Sequence, residues 1–146
     1  VTTPYVPFEL APNLWRSRRP TAAEVATFKP PLFTVIDLEE GADEELAPVN
    51  FHIPMSSVFP PKLEDVQWAS SLMHDEKRRP TLVHCHHGKT RSGICAAYWR
   101  VAFDGYSIDA AWKEMMELGF EKRYYLLGWP FFIRRLLRIA EQQRQP

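Results

Sequence analysis

Two cysteines, Cys85 and Cys95, are all that the 146-residue chain contains, too few for the disulfide framework of a small secreted scaffold. Net charge is missing as well. Lys plus Arg and Asp plus Glu stand at 18 each, so the basic excess that marks a bulk electrostatic nucleic-acid binder is absent. An anion must then be held by a local site. No apolar run approaches the roughly 18 residues that a membrane span needs. Val1 to Pro12 carry neither the basic start nor the apolar stretch of a signal peptide. The chain does not begin with Met, so its compartment stays open. No internal repeat, low-complexity tract or linker divides it.

What is present fits one domain over 1–146, long enough for a single sizeable core. Nine Phe, five Trp and five Tyr exclude a disordered chain. Pro4, Pro7 and Pro12 make residues 1–12 an extended N-terminal arm. Leu14-Trp15-Arg16 reads as a short strand. Thr21 with Glu24 forms a capping box for a helix over 22–28, stopped by Pro30 and Pro31. The β-branched run from Leu32 to Asp37 is a buried strand, and the acidic segment after it, Glu39 to Glu45, reads as a solvated loop. Asn50 to Ile53 is another strand. Pro60 and Pro61 open a helix whose apolar positions Leu63, Val66, Ala69, Leu72 and Met73 recur at helical spacing.

Thr81 to His84 is a further strand, followed by a helix through Ile94, Ala97, Tyr98 and Val101. Ser107 caps a helix that ends at Gly119. A last helix over 130–142 buries Phe132, Ile133, Leu136, Leu137 and Ala140, with Arg134, Arg135 and Arg138 on a solvated face. The alternation predicts an α/β fold, a three-layer α/β/α sandwich around a mostly parallel sheet. Its ligand site belongs beyond the carboxyl ends of the strands.

The segment Val83-His84-Cys85-His86-His87-Gly88-Lys89-Thr90-Arg91-Ser92-Gly93 sits where a buried strand stops and a helix begins. A helix N-terminus there offers unpaired N–H groups and partial positive charge. The five residues His86, His87, Gly88, Lys89 and Thr90 can wrap their amides around a phosphate, with Gly88 relieving the sharp bend. The same N–H groups, with Arg91, favour Cys85 as thiolate. A thiolate can attack phosphorus and form a phosphocysteine, dividing hydrolysis into two steps. Arg91 can bind two phosphoryl oxygens at once, which Lys cannot do in that geometry. Ser92 can hydrogen-bond the sulfur and help it leave. His84, behind the loop, can fix the backbone around the thiolate, and Lys89, His86 and His87 add positive charge at the rim.

Other chemistries fit less well. Gly88-Lys89-Thr90 mimics the end of a nucleotide-binding P-loop, but the first glycine of that motif would fall on Val83. The His84-Cys85-His86-His87 cluster could ligate a metal, yet no second Cys/His cluster supplies converging ligands. A rhodanese-like sulfur transferase uses a shorter Cys-x4-Arg loop. Cys95 reads as a small buried helix residue, with a redox partnership to Cys85 as the alternative.

The stretch from His84 to Gly93 resembles the signature loop of the protein tyrosine phosphatase superfamily. Leu14-Trp15-Arg16-Ser17 with Pro20 is similar to the first strand of small dual-specificity phosphatases. Gly88-Lys89 and Pro54-Met55-Ser56 are similar to the plant-and-fungal atypical subgroup, associated with inositol phosphates and pyrophosphates. Tyrosine-phosphatase-like phytases share the fold. The resemblance implies a phosphatase that uses Cys85, Arg91, Ser92 and His84 with no metal or cofactor. Its partner is a phosphorylated small molecule, inositol hexakisphosphate being the favoured type, or a phosphoprotein.

Arg16, Arg18, Arg19, Lys122 and Arg123 join the loop cations as candidates for holding further phosphates. Most of the superfamily carries a general-acid Asp on a loop preceding the Cys. The corresponding stretch here, Ile53 to Val58, has no carboxylate. The acidic run Asp37, Glu39, Glu40, Asp43, Glu44 and Glu45 could reach the site rim from a neighbouring strand. Glu64, Asp65, Glu114 and Glu117 read as helix-surface groups. A phosphate-binding pseudophosphatase is the non-enzymatic alternative.

Overall fold

A computed structural model describes residues 4–41 and 44–144. Five strands form one sheet in the order β1-β2-β5-β3-β4, where β1 is Phe8–Ala11, β2 Leu14–Arg18, β3 Thr34–Asp37, β4 Val49–His52 and β5 Thr81–Cys85. Strands β2, β5, β3 and β4 run parallel, and β1 is antiparallel to β2. The N-terminal arm expected over 1–12 is therefore corrected in its second half. Phe8–Ala11 is an edge strand that hairpins into β2 through Pro12 and Asn13, with Asn13 at a φ of 63°, a left-handed conformation that Asn tolerates. Residues 1–3 of the arm lie outside the described residues.

Central β3 and β5 are buried at every position, as expected for β-branched strands covered on both faces. Alternation sends Ile36, Val83 and Cys85 to one side of the sheet and Val35 and Leu82 to the other. Helices α2 (Leu63–His74), α3 (Arg91–Phe103), α4 (Ile108–Glu117) and α5 (Trp129–Gln143) pack on the first side. The second is covered by one-turn α1 (Ala22–Val25) with Phe28, Leu32 and Tyr5. The sandwich is thus lopsided, with four substantial helices on one face. Helix α3 lies in the middle, against α2, α4 and α5. It is buried nearly all round, which is why its sequence shows no clean polar face. Each fully buried Ile or Leu contributes about 1.5–3 kcal/mol.

Arg100 of α3 ties the outer elements to this core. Its guanidinium is nearly buried and donates to Leu10 O at 2.9 Å, to Asp104 Oδ2 at 2.7 Å and to Glu114 Oε1 at 3.0 Å. Glu114 is therefore a structural partner of Arg100. Replacing Arg100 by Met leaves Glu114 and the Leu10 carbonyl without their donor. Arg100→Met is expected to lower the unfolding free energy by about 3 kcal/mol, read as a lower urea midpoint at constant m.

Candidate active site

Pairing of β2, β5 and β3 brings their carboxyl ends level: Arg18 lies opposite Cys85, and Asp37 opposite His84. Beyond this edge is a cavity of about 310 Å³ with Cys85, His86, His87, Thr90 and Arg91 in its wall. Cys85 is 2% exposed, and its Sγ lies 3.3 Å from Ser92 Oγ, close enough for the hydroxyl to donate to a thiolate. Arg91 donates from one terminal nitrogen to Met55 O at 3.2 Å, which steadies the guanidinium across the mouth. The N-cap of α3, Thr90, makes no side-chain capping bond; its hydroxyl is 3.5 Å from Glu121 Oε1 instead. The first N–H groups of α3 are left for an anion.

The loop is held from behind by β2 and the residue that follows it. Arg16 is 3% exposed and donates to Gly88 O at 2.9 Å and, more weakly, to Lys89 O at 3.5 Å. Arg19 N donates to His86 O at 3.3 Å. A trans peptide is planar, with its N–H opposed to its C=O. Turning these three carbonyls toward β2 therefore turns the amides of His87, Lys89 and Thr90 the other way, toward the phosphate position. Gly88 has a φ of 72°, and a Cβ there would lie 2.3 Å from Arg18 N, so only glycine lets the loop sit this close to β2. Burial works against the charge of Arg16 and lowers its pKa, while the nearby Cys85 sulfur favours that charge.

His84 is buried under the loop, Nε2 3.9 Å from Asp37 Oδ1 and Nδ1 3.6 Å from Glu39 Oε2. Burial pushes its pKa below the ordinary histidine value, with Asp37 and then Glu39 pulling back; Asp37 is pushed up, chiefly by its own burial. The solvated loop expected over 39–45 is corrected at its first residue. Glu39 is buried, and Arg19 grips it through Nε at 2.8 Å and through a terminal nitrogen. Burial alone would raise its pKa, but those bonds outweigh burial and hold Glu39 below the usual carboxylate range. His86 Nδ1 stands 3.3 Å from Glu39 as well. Glu40 reaches the cavity wall, Glu44 and Glu45 are exposed, and Asp43 lies outside the described residues.

Asp37, Glu39 and His84 present ligand atoms within 4.8 Å of one another. However, both oxygens of Glu39 are already on Arg19, and the two histidine nitrogens face different carboxylates. With Glu39 committed to Arg19, the three groups are not arranged as free ligands around a shared cation.

The remaining candidates separate. Arg19 and Arg123 line the cavity, Arg16 is a buttress, and Arg18 is paired with Glu24 at 2.8 Å. Lys89 turns away, its stem lying against Gly119 in a cleft with Phe8 and Leu118. Sequence reasoning missed Ser57, Glu121 and Tyr124, which complete the wall. Tyr124 Oη donates to Ser57 O at 3.1 Å and its ring packs 4.1 Å from that of Trp129. Nothing in the local pattern around Tyr124 marks it as a site residue. Cys95 is fully buried, and burial pushes its thiol well above the ordinary range; both cysteines are free.

A family model described as a dual-specificity/tyrosine phosphatase fused to NAD+ kinase matches residues 33–124. The chain belongs to that phosphatase family. It is 30% identical over 118 residues to the dual specificity protein phosphatase TpbA of Pseudomonas aeruginosa, covering 77% of this chain and 54% of TpbA. The chain thus spans about half the length of the curated relatives it matches. The crystal structure of P. aeruginosa TpbA superposes with a TM-score of 0.72 at 25% identity, covering 93% of this chain and 90% of that one. The core catalytic domain of the PP-IP phosphatase SIW14 from S. cerevisiae, crystallised with citrate, gives 0.74 at 16% identity over 92% and 84% of the two chains. The α/β/α fold read from the sequence is that of these phosphatases.

If Arg16 holds the amides in place, its loss should weaken phosphate itself. Arg16→Met is expected to raise the inhibition constant of inorganic phosphate about 10- to 100-fold, the weight of a charged hydrogen bond. Arg16→Lys should recover only part, because one ammonium lacks the fork. Inhibition by phosphate, measured beside kcat and KM, separates this from general unfolding.

Proposed function

We propose that the chain hydrolyses phosphate monoesters through a phosphocysteine intermediate. The observation that carries this reading is Cys85 at the floor of the cavity, its sulfur 3.3 Å from Ser92 Oγ, under a guanidinium anchored on Met55 O. Cys85 attacks phosphorus as the ester oxygen leaves, Arg91 and the loop amides hold the equatorial oxygens, and water then cleaves the S–P bond. Ser92 offers its hydroxyl to the departing sulfur. None of these steps calls for a metal. His84 serves as a positioning residue beneath the nucleophile.

For the substrate, the geometry favours an ester whose body carries little negative charge, such as a phosphotyrosine side chain. Glu39, Glu40 and Glu121 stand in the same wall as Arg19 and Arg123. Two of the three neutralise those arginines directly, and Lys89 is directed elsewhere. A crowded polyphosphate would meet more carboxylate than free cation. Tyr124 supplies an aromatic wall, and TpbA has been crystallised with phosphotyrosine. The inositol polyphosphate reading keeps two supports: the fold likeness to SIW14, and a preceding loop without a carboxylate.

Phosphate release from phosphotyrosine peptides and from inositol hexakisphosphate, side by side, decides between them. Peptides are expected to turn over faster, and Cys85→Ser should abolish both activities. Preference for the inositol substrate would restore the second reading. Binding of both without turnover would favour a pseudophosphatase module. Activity is also expected to survive EDTA; loss of activity there, regained with a divalent cation, would direct attention to Asp37, Glu39 and His84.

A further inference from the structure

Breaking the ester bond leaves an alkoxide or phenolate that needs a proton, and a general acid must reach that oxygen directly or through one water. The loop from Ile53 to Val58 has no carboxylate to give. Among the described residues three carboxylates line the cavity around Cys85, and the hydrogen bonds distinguish them. Both oxygens of Glu39 are held by Arg19. Glu121 has one oxygen on Arg123 Nε at 3.3 Å and the other facing Thr90 Oγ1 at 3.5 Å. Glu40 accepts only the Ser57 N–H, on Oε1 at 3.3 Å. Its Oε2 has no protein partner among the described residues, and Glu40 is exposed.

The backbone two residues before this carboxylate is anchored to the site. Leu38, two residues earlier, donates to His84 O at 2.9 Å and accepts from Met55 N at 3.0 Å. Met55 O in turn holds Arg91. The stem of Glu40, the carboxylate-free loop and the phosphate clamp are thereby joined through Met55. From this the geometry points to Glu40 as the proton donor to the leaving oxygen, delivered from the end of β3 and steadied by the loop that lacks an acid of its own.

In the first step the S–P bond forms, the P–O bond breaks and the Glu40 proton moves to the ester oxygen. In the second the Glu40 carboxylate takes a proton from the attacking water as the S–P bond breaks. Thiolate, phosphate and protonated Glu40 are regenerated. The inference rests on the phosphatase reading above and adds to it the identity of the acid.

Profiles of kcat/KM against pH for the wild type, Glu40→Gln and Glu121→Gln, on phenyl phosphate and on p-nitrophenyl phosphate, test it. Nitrophenolate leaves with little help, while phenolate needs the proton. Glu40→Gln is expected to lose about 100-fold or more on phenyl phosphate and far less on p-nitrophenyl phosphate. It should also lose the alkaline limb of the profile, while vanadate inhibition, which reports an intact loop, stays as in the wild type. Equal losses on both substrates, a retained alkaline limb, or the same signature in Glu121→Gln would overturn the assignment. A wild type inactive on both esters would instead overturn the phosphatase reading beneath it.

Discussion

A buried guanidinium under a phosphate loop is the constraint on which the site depends. Arg16 is an expensive residue to place between a sheet and a helix layer, and the structure offsets that cost with the backbone carbonyls of Gly88 and Lys89. The exchange orders the loop before any ligand arrives. Because the peptide unit is rigid, fixing the oxygens on one side fixes the amides on the other. Gly88 permits the close approach, and parallel pairing of β2 with β5 sets Arg16 at the right height. Take away the pairing, the glycine or the guanidinium, and the amides have no reason to converge.

Around that anchor the charges are arranged in opposed pairs. Arg19 with Glu39 and Arg123 with Glu121 flank the opening, while His84 sits buried between Asp37 and Glu39. The net charge of zero in the whole chain is thus repeated at the scale of the cavity. On the proposed function, the amides and Arg91 are what would hold the phosphate, and the paired charges of the rim would add little net attraction to it.

Much of this was legible beforehand. The β-branched runs identified β3 and β5, the Thr21 box and Ser107 marked two helix starts, and the Cys-x5-Arg-Ser spacing located the nucleophile and clamp. These signals are local. What escaped depends on contacts between residues far apart in sequence. Arg16 was a candidate for holding further phosphates, and its role as a buttress was hidden because the carbonyls it holds lie more than seventy positions away. Glu39 looked solvated within an acidic run because its burial is created by His84 and Arg19 together. Tyr124 follows a helix without any pattern of its own, and becomes a wall only when the Ser57 carbonyl meets its hydroxyl. The edge strand Phe8–Ala11 was hidden by the prolines on either side of it.

The placement of Cys95 bears on how such an enzyme ages in an oxidising cell. A nucleophilic thiolate is open to peroxide, and many cysteine enzymes limit the damage with a second thiol that captures the sulfenic acid as a disulfide. Cys95 is sealed in the core and its thiol is reluctant to ionise, so it is a poor candidate for that reaction. Repair of oxidised Cys85 would then fall to a thiol from solution, entering through the mouth that admits the substrate. The width of that mouth governs both turnover and recovery, and an occupied pocket is a protected one.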